Sequence, residues 1–165
     1  MTDKKENANA KPAENSEQFG LQKLYVKDVS FETPNSPQVF QEQWQPKVNM
    51  DVSNSASVVA ENLYEVVLAV TVTVKFDEKT VYLAEIHQAG IFHLSGFERE
   101  ALNHMLATSC PNILFPFARE FIADLVMRGG FPQLLLAPMN FEALYMQHLQ
   151  QVAREEKATD GAAPH

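Results

Sequence analysis

The side chains best suited to chemistry are three of the five histidines and the single cysteine: His87, His93, His104 and Cys110. An imidazole can activate a thiolate or share a zinc ion with it, so this set would suit a thiol enzyme or a metal site. Its spacing matches no established motif of either kind. Cys110 precedes a proline in an apolar stretch, where a free cysteine is usually a small buried hydrophobic residue. The sequence therefore predicts a structural Cys110 and no metal site.

Other catalytic signatures are missing from the sequence. It contains no glycine-rich phosphate loop, no paired cysteines at zinc spacing and no His-Glu-x-x-His motif. Asp28 and Glu32 would lie about 13 Å apart on an extended strand, which suits a flat binding surface better than a reaction centre. We therefore expect no enzyme activity and no cofactor, with a Cys110-dependent enzyme as the alternative.

Composition restricts the partners and the location. The chain has 165 residues, of which 45% are hydrophobic, enough for one packed domain. A formal charge of −8 has the wrong sign for binding nucleic acid. One cysteine and the lack of a signal-like start predict a cytoplasmic protein. The apolar runs are too short to insert into a membrane.

The two ends differ from the middle of the chain. Residues 1–17 and 153–165 contain no Val, Ile, Leu, Phe, Tyr or Trp. Such segments bury too little apolar surface to offset the entropy lost on ordering. The sequence predicts a disordered arm at 1–17, a folded body at 18–152 and a disordered tail at 153–165.

The first half of the body has the period-2 pattern of strands. Apolar and polar residues alternate at 24–32, 47–53, 64–75 and 80–92. The last two segments are rich in β-branched residues, which favours strand over buried helix. We predict a four-stranded antiparallel sheet.

The second half has the period of helices. Ser95 and Glu98 have the spacing of a capping box and predict a helix start. Bends are expected near Pro111 and Pro116, and Asn140 is predicted to cap a last helix. Because all strands precede all helices, the fold class is α+β.

Three segments carry a resemblance to a known family. They are Tyr25-x-Lys27-Asp28-x-Ser30-Phe31-Glu32, the run 110–119 that begins Cys-Pro-Asn-Ile-Leu-Phe-Pro, and the segment 131–141. Together they strongly resemble the bacterial protein-export chaperone family SecB, with similarity from about residue 19 to residue 151. The resemblance implies helices on one side of the sheet and a homotetramer built as a dimer of dimers. It also implies an ATP-independent holdase that binds unfolded secretory precursor polypeptides and delivers them to the export ATPase SecA.

The resemblance also implies positions for binding SecA. Asp28, Glu32, Leu83 and Glu85 match the family's SecA-docking positions, and they fall at like-parity positions of two strands. The carboxylates would attract basic groups on SecA, and Leu83 would supply a desolvated centre.

Client capture requires exposed apolar surface that accepts many sequences. We expect this surface to be a groove that binds clients. Its candidate residues come from the loop after the first strand, the second strand and the segment 131–138: Phe40, Trp44, Val48, Met50, Val52, Leu134 and Leu136. A plain core role remains equally open for Phe40, Leu134 and Leu136.

Candidates for the oligomer interface lie on one strand face and one helix: Tyr82, Ala84, Ile86 and Gln88, and Ala101, Leu102 and Met105. The sequence does not separate these residues from the core of the chain itself. A related chaperone dedicated to another client, such as a toxin–antitoxin system, remains an alternative function.

Overall fold

The computed structural model describes residues 16–43 and 45–160, with side chains up to residue 157. It contains four strands, one short 3₁₀ helix at Gln38–Gln41 and three α-helices. The strands are β1 (Gln18–Glu32), β2 (Lys47–Ala60), β3 (Leu63–Phe76) and β4 (Lys79–Ser95), and the helices are α1 (Arg99–Ala107), α2 (Ser109–Arg128) and α3 (Phe141–Asp160). The α+β fold with a four-stranded antiparallel sheet and helices packed on it is confirmed.

The sheet has the order β1-β4-β3-β2, and all neighbouring strands are antiparallel. Alternate residues of β3 point to the core, and Val66, Leu68, Val70 and Val72 have no exposed surface. β-branched side chains at every second position pack well on such a pleated, half-buried surface. The two central strands therefore hold most of the sheet's apolar side chains.

Helix α2 covers the apolar face of the sheet. Its buried residues Leu114, Ala118, Ile122 and Val126 recur every fourth position, so they form one stripe along the helix. A Cβ atom added at Gly90 of β4 would lie 3.1 Å from Leu114 Cδ2, which shows how closely helix and strand approach. The other face of the sheet carries no helix among the described residues, and we call it the helix-free face.

The predicted helix signals had mixed outcomes. Asn140 caps α3, because its Oδ1 accepts a hydrogen bond of 3.0 Å from the Ala143 N–H. The capping box at Ser95 is wrong. Ser95 pairs with Gln18 as the last residue of β4, and α1 begins at Arg99 after Glu98 without a capping hydrogen bond.

The predicted break before α2 falls close to its expected place. α1 ends at Ala107 and α2 begins at Ser109, just before Cys110 and Pro111. Proline is tolerated in a first turn because the N–H groups there have no partner within the helix. Pro116 lies inside α2, and the helix continues through it to Arg128.

Several elements extend beyond their predicted bounds, and β1 begins at Gln18 rather than at residue 24. The second half of β2, residues 54–60, is too polar and small to show a strand pattern, but pairing with β3 satisfies its backbone. Helix α3 continues past Val152, the predicted end of the folded body, to Asp160. Ala, Arg, Glu and Lys are good helix formers, so this stretch extends the helix without an apolar anchor of its own.

A bulky residue at Ala84 is expected to destabilise the fold. Ala84 is fully buried on the β4 face beneath α2, and an inserted aromatic ring would have to displace well-packed neighbours. Ala84→Tyr should lower the free energy of unfolding, measured by urea titration at fixed protein concentration, by about 2 kcal/mol or more. Leu83→Tyr, on the half-exposed opposite face, is the control and should change it little. Equal stability of the two variants would contradict the assignment of faces.

Candidate functional site

The helix-free face brings the four predicted SecA-docking residues together. In the pairing of β1 with β4, Glu32 lies opposite Leu83, and Asp28 lies opposite His87. Glu85 stands between Leu83 and His87 on the same face of β4. We call this surface the acidic face, defined by Asp28, Glu32, Leu83 and Glu85.

Hydrogen bonds hold the central carboxylate of the acidic face. The Thr71 hydroxyl on β3 donates to Glu85 Oε2 at 2.9 Å, and His87 Nε2 lies 3.0 Å from Glu85 Oε1. The side chains of Glu85 and His87 are about one third exposed, at 34% and 35%. Glu85 is therefore oriented by both of its neighbours and still reaches solvent.

A β-bulge in β1 determines which residues share this face. The register shifts between Val26 and Asp28, so Tyr25 and Asp28 lie on the same side of the sheet. The alternation predicted for residues 24–32 groups Tyr25 with Val29 and Phe31, and the bulge shows that this grouping is wrong. A single extra residue reverses the parity of the strand before it.

The bulge also builds a polar cluster at the far end of the same face. The Tyr25 hydroxyl donates to Glu65, and Lys27 Nζ lies 2.8 Å from Glu65 Oε2. Hydrogen bonds from Lys27 and Tyr25 lower the pKa of Glu65. Desolvation, with the Glu65 hydrogen bond and charge, raises the pKa of Tyr25 to about 12. Lys27 and Glu65 thus neutralise each other beside the acidic face.

An apolar groove lies on the opposite side of the sheet. A cavity of about 480 Å³ opens between the 3₁₀ helix, the start of β2 and the segment 130–134. Phe40, Val48 and Leu134 line it. Phe40 and Val48 are 51% and 48% exposed, and the rings of Phe40 and Phe131 are 5.1 Å apart between centroids. We call this feature the apolar groove.

The remaining groove candidates have different environments. Met50 and Val52 are half-buried further along β2, where they pack against the core. Leu136 belongs to the core itself, with 7% of its surface exposed. Trp44 lies outside the described residues, so its part in the groove remains a prediction.

The predicted oligomer interface divides into two parts. Tyr82, Ala84, Ile86 and Gln88 are at most 4% exposed within the chain itself. Side chains without accessible surface offer nothing to a second subunit, so the strand half of the prediction is corrected to intrachain core. The helix half, at Ala101, Leu102 and Met105, is only half-buried and remains a prediction.

The sequence analysis missed an apolar edge. On β1, which forms one edge of the sheet, the residues Phe19, Leu21, Val26 and Val29 are 39–41% exposed. An exposed apolar edge strand invites pairing with another chain. Alternation did not reveal this group, because the register shifts in β1 change which residues share a face. The position of β1 at an edge is a property of the fold.

The structure does not bring the cysteine and the histidines together. Cys110 is fully buried in α2, and burial raises its pKa to about 12. His87 and His93 lie on the helix-free face of β4. His104, on α1, lies 2.8 Å from a carboxylate oxygen of Glu142. Among the described residues, no hydrogen bond joins Cys110 to an imidazole of this set.

Comparison with known proteins assigns the family. Residues 12–152 match the family described as preprotein translocase subunit SecB. The chain belongs to the SecB family. It is 58% identical over 136 residues to the protein-export protein SecB of Nitrosococcus oceani, covering 81% of this chain and 83% of that protein. The protein-export protein SecB of Methylococcus capsulatus is 55% identical over 148 residues, covering 90% and 94%. Membership of a protein-export chaperone family is thus established over nearly the whole folded body.

A solved structure shares the fold. It is the SecB-like chaperone of Mycobacterium tuberculosis in complex with a peptide from the HigA1 antitoxin, with a TM-score of 0.62 and 16% identity over 74% of this chain and 91% of that chain. At this identity the similarity concerns the fold alone. Among the described residues, no helix combines the length and hydropathy of a transmembrane span.

The Cys110 thiol is expected to be unreactive in the native protein. A pKa of about 12 in place of 9.0 lowers the thiolate fraction at pH 8 about a thousandfold, and the thiolate is the reactive form. Ellman's reagent should therefore modify the native chain far more slowly than the urea-unfolded chain. Equal rates would show an accessible thiol and reopen the enzyme alternative.

Proposed function

We propose that this chain is an ATP-independent holding chaperone of the cytoplasm. It binds unfolded secretory precursor polypeptides, keeps them competent for translocation and delivers them to SecA, without catalysing a reaction. The observation that carries the proposal is the apolar groove, which exposes aromatic and aliphatic side chains on one side of the sheet, away from the acidic face.

The groove has the chemistry that non-native chains require. Phe40 and Val48 remain about half exposed although each has neighbouring apolar side chains. Unfolded polypeptides expose the apolar residues that a folded protein buries, and burying such a side chain in the groove stabilises the complex by about 1.5–3 kcal/mol. A groove that binds through apolar contact area, and not through one pocket of fixed shape, can bind clients of many different sequences.

The acidic face supplies a second, separate surface. Asp28 and Glu32 are exposed, and Leu83, on the central strand β4, is half-buried. Carboxylates around an apolar residue suit a basic partner with a small hydrophobic anchor, which is the role proposed for SecA. Because the sheet separates this face from the groove, client and SecA can be bound at the same time.

A tetramer, arranged as a dimer of dimers, would multiply the groove. The exposed apolar side chains of β1 offer a self-complementary edge for a twofold contact, and the half-buried face of α1 offers a second contact. Two different twofold contacts on one chain generate a dimer of dimers. Several grooves on one particle would then hold a long client by avidity.

Substitutions in the groove are expected to weaken client binding. Val48→Asp and Leu134→Asp each place a charge where the client's apolar side chains would bind, so affinity for an unfolded precursor should fall about tenfold or more. Affinity is measured by fluorescence anisotropy of a labelled precursor. Val58→Asp is the matched control, since Val58 is 73% exposed at the far end of the same strand. Equal losses in all three variants would refute the groove assignment.

Charge reversal on the acidic face is expected to affect SecA alone. In Asp28→Lys with Glu85→Lys, two attractions of up to about 1 kcal/mol each become repulsions, so SecA affinity should fall about tenfold or more. Client affinity should not change. Glu61→Lys with Glu120→Lys, at two exposed positions away from the acidic face, is the control that changes the net charge by the same amount. Equal loss of SecA and client binding would mean that the acidic face is misassigned.

A further inference from the structure

The acidic face contains a cluster that its proposed docking role does not explain. Asp28, Glu85 and His87 each offer one ligand atom, and these atoms all lie within 4.8 Å of one another. No other group of three such residues occurs within the part of the chain that the structure describes. We propose that these three side chains form a binding site for a divalent transition-metal ion of the zinc type.

The ligand set selects the metal. One imidazole with two carboxylates suits Zn²⁺ and neighbouring transition metals, whereas Mg²⁺ prefers oxygen ligands in octahedral geometry. With bonds of about 2.0–2.2 Å, ligand atoms in a tetrahedral zinc site lie about 3.3 Å apart. His87 Nε2 and Glu85 Oε1 are already 3.0 Å apart, and the Asp28 ligand atom lies within 4.8 Å of both ligands, so Asp28 would have to move closer to them. Water would fill the fourth position.

The scaffold orients the ligands in advance. Glu85 and His87 stand two residues apart on β4, a central strand, and Asp28 is held opposite His87 by strand pairing. Thr71 donates to Glu85 Oε2, which leaves Oε1 directed at His87. Such an outer hydrogen bond fixes a ligating carboxylate and tunes its affinity for the metal.

The charge of the site favours a cation. Asp28 and Glu85 bring two carboxylates close together, and no ion pair found among the described residues joins a lysine or arginine to either of them. Lys27, next to Asp28 in the sequence, is paired with Glu65. A bound dication would offset the repulsion between the two carboxylates.

Metal binding has a consequence that rests on the proposed function. An ion held by Asp28 and Glu85 would neutralise two of the carboxylates proposed to attract SecA. Zn²⁺ is then expected to weaken SecA binding to the wild-type chain and not to His87→Gln. The same SecA is used with the wild type and with His87→Gln. Any effect of Zn²⁺ bound to SecA itself would therefore be equal in both titrations.

The metal site is tested by calorimetric titration of the full, untagged chain with Zn²⁺ alone. Because SecA is absent, the result does not depend on the proposed function. We expect one ion per chain, with affinity reduced about tenfold or more in His87→Gln and in Asp28→Asn. Thr71→Val should show a similar reduction without removing a ligand. His93→Gln removes a histidine from the same face of β4 outside the cluster, and it should bind as the wild type does.

A second measurement guards against variants that fold poorly. Zn²⁺ should raise the thermal midpoint of the wild type and of His93→Gln, and not that of His87→Gln, because a ligand stabilises only the state that binds it. No saturable binding by the wild type, or equal binding by the wild type and His87→Gln, would overturn the proposal.

Discussion

The one-sided covering of the sheet is the constraint on which the rest of the structure depends. Fully buried valines on β3 pack beneath the α2 stripe that includes Leu114 and Ile122. Burial of each such side chain stabilises the fold by about 1.5–3 kcal/mol. The strand register that buries them is therefore strongly favoured over registers shifted by one residue, which would expose them. Once that register is set, every odd-numbered residue of β4 from Leu83 to His87 must face away from the helices.

This asymmetry gives the chain two surfaces of opposite chemistry. The helix side leaves apolar surface exposed to solvent in the apolar groove, where Phe40 and Val48 lie beside the segment that follows α2. The helix-free side is polar, with Glu85 oriented by Thr71. The proposed function requires the client and SecA to be bound at the same time, and binding sites on opposite sides of one sheet would satisfy that requirement.

Sequence patterns were sufficient for some of these features and not for others. β3 and β4 were predictable because both alternate strictly and both are rich in β-branched residues. The faces of β1 were not, because the bulge near Lys27 reverses parity without any sequence mark that alternation would detect. Tyr82 and Ala84 appeared equally suited to core and interface, since burial within a chain and burial between chains select the same side chains. The proposed SecA-docking residues came from family resemblance, and alternation alone would not have singled them out.

In the proposed function, the exposed apolar side chains of the groove bind non-native polypeptide and not folded protein. The most direct test is calorimetric titration of the chain with one secretory precursor, presented once unfolded and once folded, with native mass measured by light scattering in the same buffer. We expect binding of the unfolded form only, by a tetramer, with a negative heat-capacity change from apolar burial. Equal binding of both forms, or binding by a monomer, would contradict it.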